Sequence, residues 1–273
     1  MTSTVKSQLS ALALILLLCT SVACSRLAGV QNKPRDTGGQ ELLLGLKMDA
    51  AQAAQNIERT MQVIQDRCDR LNLYCKLERQ NDNQIKLRVS GELDPARVKS
   101  VLLAEGMELR AVVTELAPAP LHKYPTRASA QEAAGNDRDV MPYLERSSNS
   151  QPDFTTYLIV ERTPLVSGQD IRKASAVPYP RGVGDGEYQI TFQLKPEAAA
   201  RFGEWTGSHI DNYLAVVFNR EVRTAAYIKS QITDSGEIVG RFTKQEAEDM
   251  AQILMSGNLP APVSVLKEGT YKP

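Results

Sequence analysis

The chain has 273 residues, enough for one large or two small domains with a buried core. Its 32 basic and 32 acidic residues cancel, so no global field marks it as a nucleic-acid binder. Two histidines and four cysteines supply few ligands for a metal centre.

Lys6 precedes an apolar run from Leu9 to Leu18, and Ser21-Val22-Ala23-Cys24 follows. A basic residue, a short apolar stretch and small residues at a cut site predict a secretory signal over 1–23. The run is shorter than the roughly 20 residues that span a bilayer. Two readings of its end stay open. In one, Cys24 is lipidated as in a lipobox, with Ser21 where leucine is usual. In the other, an ordinary signal is cut after Ala23. Under the first, residues 24–40, polar and carrying Pro34 and Gly38-Gly39, form a tether to a membrane, and whether that is the inner or the outer one stays open. Cys68 and Cys75 remain, and an exported compartment permits a disulfide between them. The alternative is two buried thiols. A metal site is not expected, since two cysteines without nearby histidines are too few.

Leu42 to Met48 predicts a strand and Asp49 a helix cap. Ile57, Met61, Ile64, Cys68 and Leu71 then repeat every three or four residues, the buried stripe of a helix over 50–71. Leu77 and the trio Ile85, Leu87 and Val89 mark two strands around the turn Gln80-Asn81-Asp82-Asn83. Asp94-Pro95 opens a second helix, with Val98, Val101 and Leu102 inward and Gly106 at its end. Leu109, Ala111 and Val113 alternate as a further strand. The order β-α-β-β-α-β predicts an α+β fold with a ferredoxin-like layer, two helices on one face of a sheet.

Residues 117–153 are polar and proline-marked, and predict a long flexible connector. A strand resumes at Tyr157-Leu158-Ile159-Val160. The glycines of Arg181-Gly182-Val183-Gly184-Asp185-Gly186 precede an alternating strand rather than a helix, so they predict a hairpin turn and not a phosphate loop. Lys195-Pro196-Glu197 starts a helix with Ala198, Phe202 and Trp205 on one face, Trp205 being read as core. Two strands flank Asn219-Arg220, where arginine suits positive φ poorly and a different turn type is expected. Thr243 and Glu246 form a capping box for a helix with Ala247, Met250, Ala251 and Leu254 inward, stopped by Gly257. Pro260-Ala261-Pro262 leads into a last strand. Whether this closing helix and strand dock on the first or second half is left open.

Arg79-Gln80-Asn81-Asp82-Asn83-Gln84-Ile85, Asp94-Pro95-Ala96-Arg97-Val98, Gly168-Gln169-Asp170-Ile171 and the stretch Phe242 to Pro262 together resemble the first periplasmic domain of the SecD/SecDF protein-export membrane proteins. Ser90-Gly91 and Gly45 to Ala51 depart from that pattern. The resemblance implies a base subdomain over 41–116 and a head inserted in it, over 154–273. It also implies an extracytoplasmic polypeptide-binding or accessory module on the periplasmic side, with Sec translocon components or exported polypeptides as partners. No membrane channel follows Pro273, so no proton-driven motor is expected. An envelope scaffold or adaptor lipoprotein of the same fold is the alternative, and an envelope hydrolase with a dispersed site a further one. No catalytic residue, cofactor or nucleic-acid partner is expected: His122 and His209 have no ligand-spaced companions, and no Gly-x-Ser-x-Gly turn occurs. Client-binding residues are not legible.

Overall fold

The computed structural model describes residues 34–114, 120–145, 154–180 and 187–273. The signal, Cys24, the start of the tether and the Arg181–Gly186 turn lie outside the described residues. No helix among those described is long and apolar enough to cross a membrane.

The first sheet is built from β1 (Gly39–Leu46), β2 (Cys75–Arg79), β3 (Gln84–Ser90) and β13 (Val263–Tyr271), in the order β13-β1-β3-β2. All its neighbours are antiparallel. Leu42, Leu44, Ile85, Leu87 and Val89 point to one face, the period-two pattern of half-buried strands. Helix α1 (Ala50–Arg70) covers that face with Ile57, Ile64 and Cys68, fully buried. Asp49 caps it by accepting from Gln52 N at 2.9 Å. Helix α2 (Pro95–Leu102) adds Val98 and Leu102, with Asp94 accepting from Ala96 N at 3.0 Å.

The strand through Leu109 and Ala111, expected to close this sheet, is β4 (Met107–Ala111) and belongs to another one. β13 takes its place, paired along β1 from Gly39↔Tyr271 to Leu46↔Val263. Alternation fixes which face of a strand is apolar but not which sheet receives it. Met107 and Leu109 instead join a core with Val166, Phe192, Leu214 and Val216.

The second sheet runs β6-β5-β11-β10-β4-β7. Its members are β5 (Arg138–Glu145), β6 (Phe154–Glu161), β7 (Val166–Ser167), β10 (Tyr213–Phe218) and β11 (Glu221–Tyr227) beside β4. It curls on itself: Val112 bridges to Val160, and Val113 N donates to Ile159 O at 2.9 Å. Val112, just past β4, packs inside with Met141, Leu158, Ala215, Val217 and Val222 from β5, β6, β10 and β11. The segment read as a flexible connector supplies part of this structure. It contains helix α3 (Arg127–Ala134) and all of β5. Thr126 caps α3 through Ser129 N at 3.2 Å, and Ala130 and Ala134 bury it against Val140 and Ile159. Polar composition and prolines hid this because α3 needs only two small residues inward. Pro142 is accommodated in β5, which meets β11 at one registered pair, Tyr143↔Val222.

The third sheet, β12-β9-β8, comprises β8 (Ile171–Pro178), β9 (Tyr188–Leu194) and β12 (Ser235–Phe242). Ile190, Phe192 and Leu194 face a core shared with Ala198 and Phe202 of α4 (Pro196–Ser208) and with α5 (Lys244–Ser256). Thr243 and Glu246 form the reciprocal cap of α5 at 2.9 and 3.2 Å. The open question of docking resolves into two answers, since α5 lies on the third sheet while β13 joins the first. The Asn219–Arg220 turn also differs from expectation. Both residues take positive φ, 51° and 61°, as a type I′ hairpin requires. Asn219 is held there because its Oδ1 accepts from Glu105 N at 2.8 Å.

Candidate functional site

The three sheets meet around the end of α5, and one arginine organises the meeting. Arg67 lies in the last turn of α1, fully buried. Its Nη1 donates to Leu102 O at 3.0 Å and Ala104 O at 2.6 Å. Its Nε donates to Ser256 Oγ at 3.0 Å and its Nη2 to Gly257 O at 2.9 Å. One guanidinium thus satisfies groups at the C-terminal ends of both α2 and α5, which helices leave without partners. Burial pulls its pKa down to about 10, with Asp66 opposing, so it stays cationic at neutral pH. Arg97 adds a bidentate link from α2 to Asp249 of α5, at 3.1 and 2.9 Å.

Beyond α5, residues 257–262 form a strap. Gly257 turns the chain at φ 80°. Leu259 N donates to Glu105 O at 2.8 Å, Asn258 Nδ2 to Glu108 Oε1 at 3.0 Å, and Lys47 N to Pro262 O at 2.8 Å. Leu259 and Ala261 are buried. The strap crosses the turn into β4 so closely that a Cβ on Gly106, itself at φ 139°, would lie 2.2 Å from Asn258 Oδ1.

Under the strap, at one mouth of the curled sheet, is a cavity of about 210 Å³. Glu105, Arg110, Met141, Val217 and Arg220 bound it with the strap. Arg110 Nε donates to Glu108 Oε2 at 2.7 Å, and its Nη1 donates to Asp139 Oδ2 at 2.8 Å and Arg162 O at 2.8 Å. Burial pushes the Glu105 carboxyl up, opposed by Arg220 and Lys47.

A second feature is the outer face of the third sheet. Lys173, Ser175, Thr191, Gln193 and Glu237 line a broad recess of about 470 Å³ there. Among the described residues, no strand pairs with the outer edge of β8 or β12.

Of the residues singled out in the sequence, Cys68 and Cys75 are joined, with Sγ atoms 2.10 Å and Cα atoms 6.1 Å apart. His122 is exposed beside Tyr124, ring centroids 4.4 Å apart. His209 stacks on Trp205 at 4.1 Å, its Nδ1 2.8 Å from Trp205 O at the end of α4. Trp205 itself is half-buried against the main core. The structure brings neither histidine to the junction, and the described residues hold no group of three or more His, Cys, Asp and Glu suited to a metal. Arg67 and Arg110 stood out in no sequence motif, and Arg97 figured only within the Asp94–Val98 match. A basic residue three after Ile64 on an apolar stripe was the available signal for Arg67.

A family model described as the SecDF P1 head subdomain matches residues 142–261. The protein translocase subunit SecD of Koribacter versatilis is 35% identical over 224 residues, 80% of this chain and 39% of that protein. SecD of Aquifex aeolicus is 31% identical over 220 residues, again 80% of this chain and 40% of that one. The chain therefore spans about two fifths of the length of these relatives. Among solved structures, SecDF in a super-membrane-facing form shares the fold with TM-score 0.63 and 24% identity, covering 86% of this chain and 31% of that one. A structure described as a membrane component SecDF that enhances protein export gives 0.59 and 24%, over 83% of this chain and 98% of that one. The chain carries a periplasmic P1 domain of the SecD type.

Proposed function

We propose that the chain serves protein export on the periplasmic side of a bacterial membrane, engaging polypeptides or translocon components through its head. The observation that carries this reading is the P1-head match over 142–261, set within SecD relatives aligned to 80% of the chain. The open face of the third sheet supports it physically. Unpaired strand edges and a polar recess suit an extended chain, which adds main-chain hydrogen bonds to an exposed edge. In the same reading the first sheet with α1 and α2 forms a base that holds the head, and a lipid on Cys24 attaches the domain to the membrane. Balanced charge gives no electrostatic reason for a nucleic-acid partner.

The test is in-cell photo-crosslinking from Lys173, Gln193 and Glu237, with Glu58 on the outer face of α1 as control. Exported chains or translocon subunits should be captured from the three head positions and not from Glu58. Capture of neither class would overturn the export reading. Cys24→Ala should release the protein into the soluble fraction, and a variant still bound to membranes would remove the lipid anchor from the account.

A further inference from the structure

The third sheet has two outer edges, and its hydrogen-bond register makes them unequal. Leu194 N donates to Asp234 O at 2.7 Å, in the register that sets Ser235 opposite Gln193 and Glu237 opposite Thr191. Residues of an antiparallel pair alternate between bonding their partner and facing away from it. Ser235 and Glu237 therefore turn both of their main-chain groups away from β9. Both residues are exposed, and among the described residues nothing bonds those groups. On the opposite edge Tyr179 N donates to Glu187 O at 2.9 Å, which by the same alternation leaves Ala174, Ala176 and Pro178 facing out. Ala174 is only 6% exposed, and Pro178 has no N–H to give. The register of β8 also slips between Ile171 and Lys173. The open edge is β12.

A row of unpaired donors and acceptors at strand spacing matches another extended backbone. Charge narrows the choice further. The outer face is balanced as a whole, but Arg172 and Lys173 lie on β8 while Asp234 and Glu237 lie at β12. Arg172 is engaged by Gln193 Oε1 at 3.2 Å, and Lys173 is two strand spacings from β12, roughly 9–10 Å. Glu237 has no ion pair among the described residues, and Asp234 takes only the hydroxyls of Thr233 and Ser235. A second copy paired along this same edge would set acid against acid, which disfavours it. Val239, 38% exposed, adds apolar surface beyond Glu237. The register then breaks between Ile238 and Phe242, with Arg241 at φ 54°, so the open edge is short.

We propose that β12 takes up a short extended segment of a client polypeptide as an added strand, bonded to the main chain of Ser235 and Glu237. The residue set opposite Glu237 is basic in preference to acidic. The inference rests on the reading that the head engages polypeptides, and it adds which edge does so and which charge that edge favours.

The experiment is an NMR titration of the full chain with three acetylated, amidated pentapeptides. The first is threonine–valine–lysine–valine–threonine, the second its glutamate-centred analogue, and the third the lysine peptide with every amide N-methylated. The lysine peptide should shift the amides of Ser235 and Glu237 saturably and slow their hydrogen exchange, leaving Ala174 and Ala176 unchanged. The N-methylated peptide, which has lost its main-chain donors, should bind at least about tenfold more weakly. The glutamate peptide should bind about threefold more weakly than the lysine peptide, and Glu237→Lys should reverse that order. Equal binding of the N-methylated peptide would overturn the proposal, as would shifts that never saturate or that fall on Ala174 and Ala176 instead. A lysine preference that survives Glu237→Lys would overturn the charge selection. Shifts at Ser235 and Glu237 that depend on protein concentration without peptide would make a second copy the occupant and overturn the client strand. Glu237 is exposed, and unaltered amide spectra away from β12 check the fold of Glu237→Lys. Failed crosslinks with intact peptide binding would sink the export reading alone. Captured clients without peptide binding at β12 would sink the added strand alone.

Discussion

A guanidinium out of water survives when its donors find fixed acceptors, and Arg67 finds them in three carbonyls and a hydroxyl. Arg67→Met would keep the apolar stem and strand those acceptors. The expected loss is about 2–4 kcal/mol in urea denaturation, the range for breaking a buried polar network. A loss below about 0.5 kcal/mol would mean the carbonyls find other partners. In the sequence Arg67 reads as a basic residue favoured near a helix end, because periodicity records where apolar residues fall and not what lies opposite a charged one. Glu105 gives a pH-dependent counterpart. Burial raises its pKa above the ordinary 4.5, so its ionised form is disfavoured in the fold. Its contribution is fully present below the unfolded value and lost as pH rises through the folded one. Glu105→Gln should therefore be more stable than wild type at neutral pH, with the gain vanishing below about pH 4.5. Denaturation midpoints of the two proteins that stay parallel across this range would refute the assignment.

At the scale of elements, local signals were legible and partners were not. Asp49, Asp94 and the Thr243–Glu246 box start their helices as their residue types predict, because a cap is made within four residues. Thr243→Ala should lower stability by about 1 kcal/mol, read as a thermal shift. An unchanged midpoint would show that the cap adds nothing to the core packing of α5 and its links to Arg67 and Arg97. By contrast β4 was recognisable as a strand, but its sheet was not, since its neighbours β10 and β7 lie far along the chain. Helix α3 and β5 were missed for a related reason: Ala130 and Ala134 are too small to mark a stripe. The Cys68–Cys75 link is local again, tying the last turn of α1 to the first residue of β2 across a separation of seven. Replacing both with alanine should reduce stability by about 2–3 kcal/mol on the loop-closure scale. Alkylation without reductant should leave both cysteines unmodified, and labelling of either in the folded, unreduced protein would contradict the link.

Across the whole molecule, the strand that completes the first sheet arrives about 160 residues after α2, so the second and third sheets are effectively an insertion between them. The ends of the described chain are drawn together by this. Tyr271 pairs with Gly39, and its hydroxyl donates to Asp36 Oδ1 at 2.8 Å. Burial first, and then that bond, push the phenol up to about 12. The topology makes a spatially uneven prediction about loss of β13. Val263 and Val265 pack against the core of the first sheet, while Ile190, Phe192 and Leu194 belong to a different one. A chain ending at Pro262 should keep the strap bond from Lys47 N to Pro262 O but leave β1 as an edge. In hydrogen exchange, the β1 amides that face β13 should lose most of their protection while β9 amides stay within about threefold of wild type. Val265→Pro, which removes a donor and leaves the rest of the strand in place, should give the same pattern more weakly. If β4 closed the first sheet, as the order of elements along the sequence suggests, β1 would keep its protection in both variants. Loss of protection at β9 equal to that at β1 would instead mean that the sheets unfold as one unit, with Arg67 and α5 transmitting the damage.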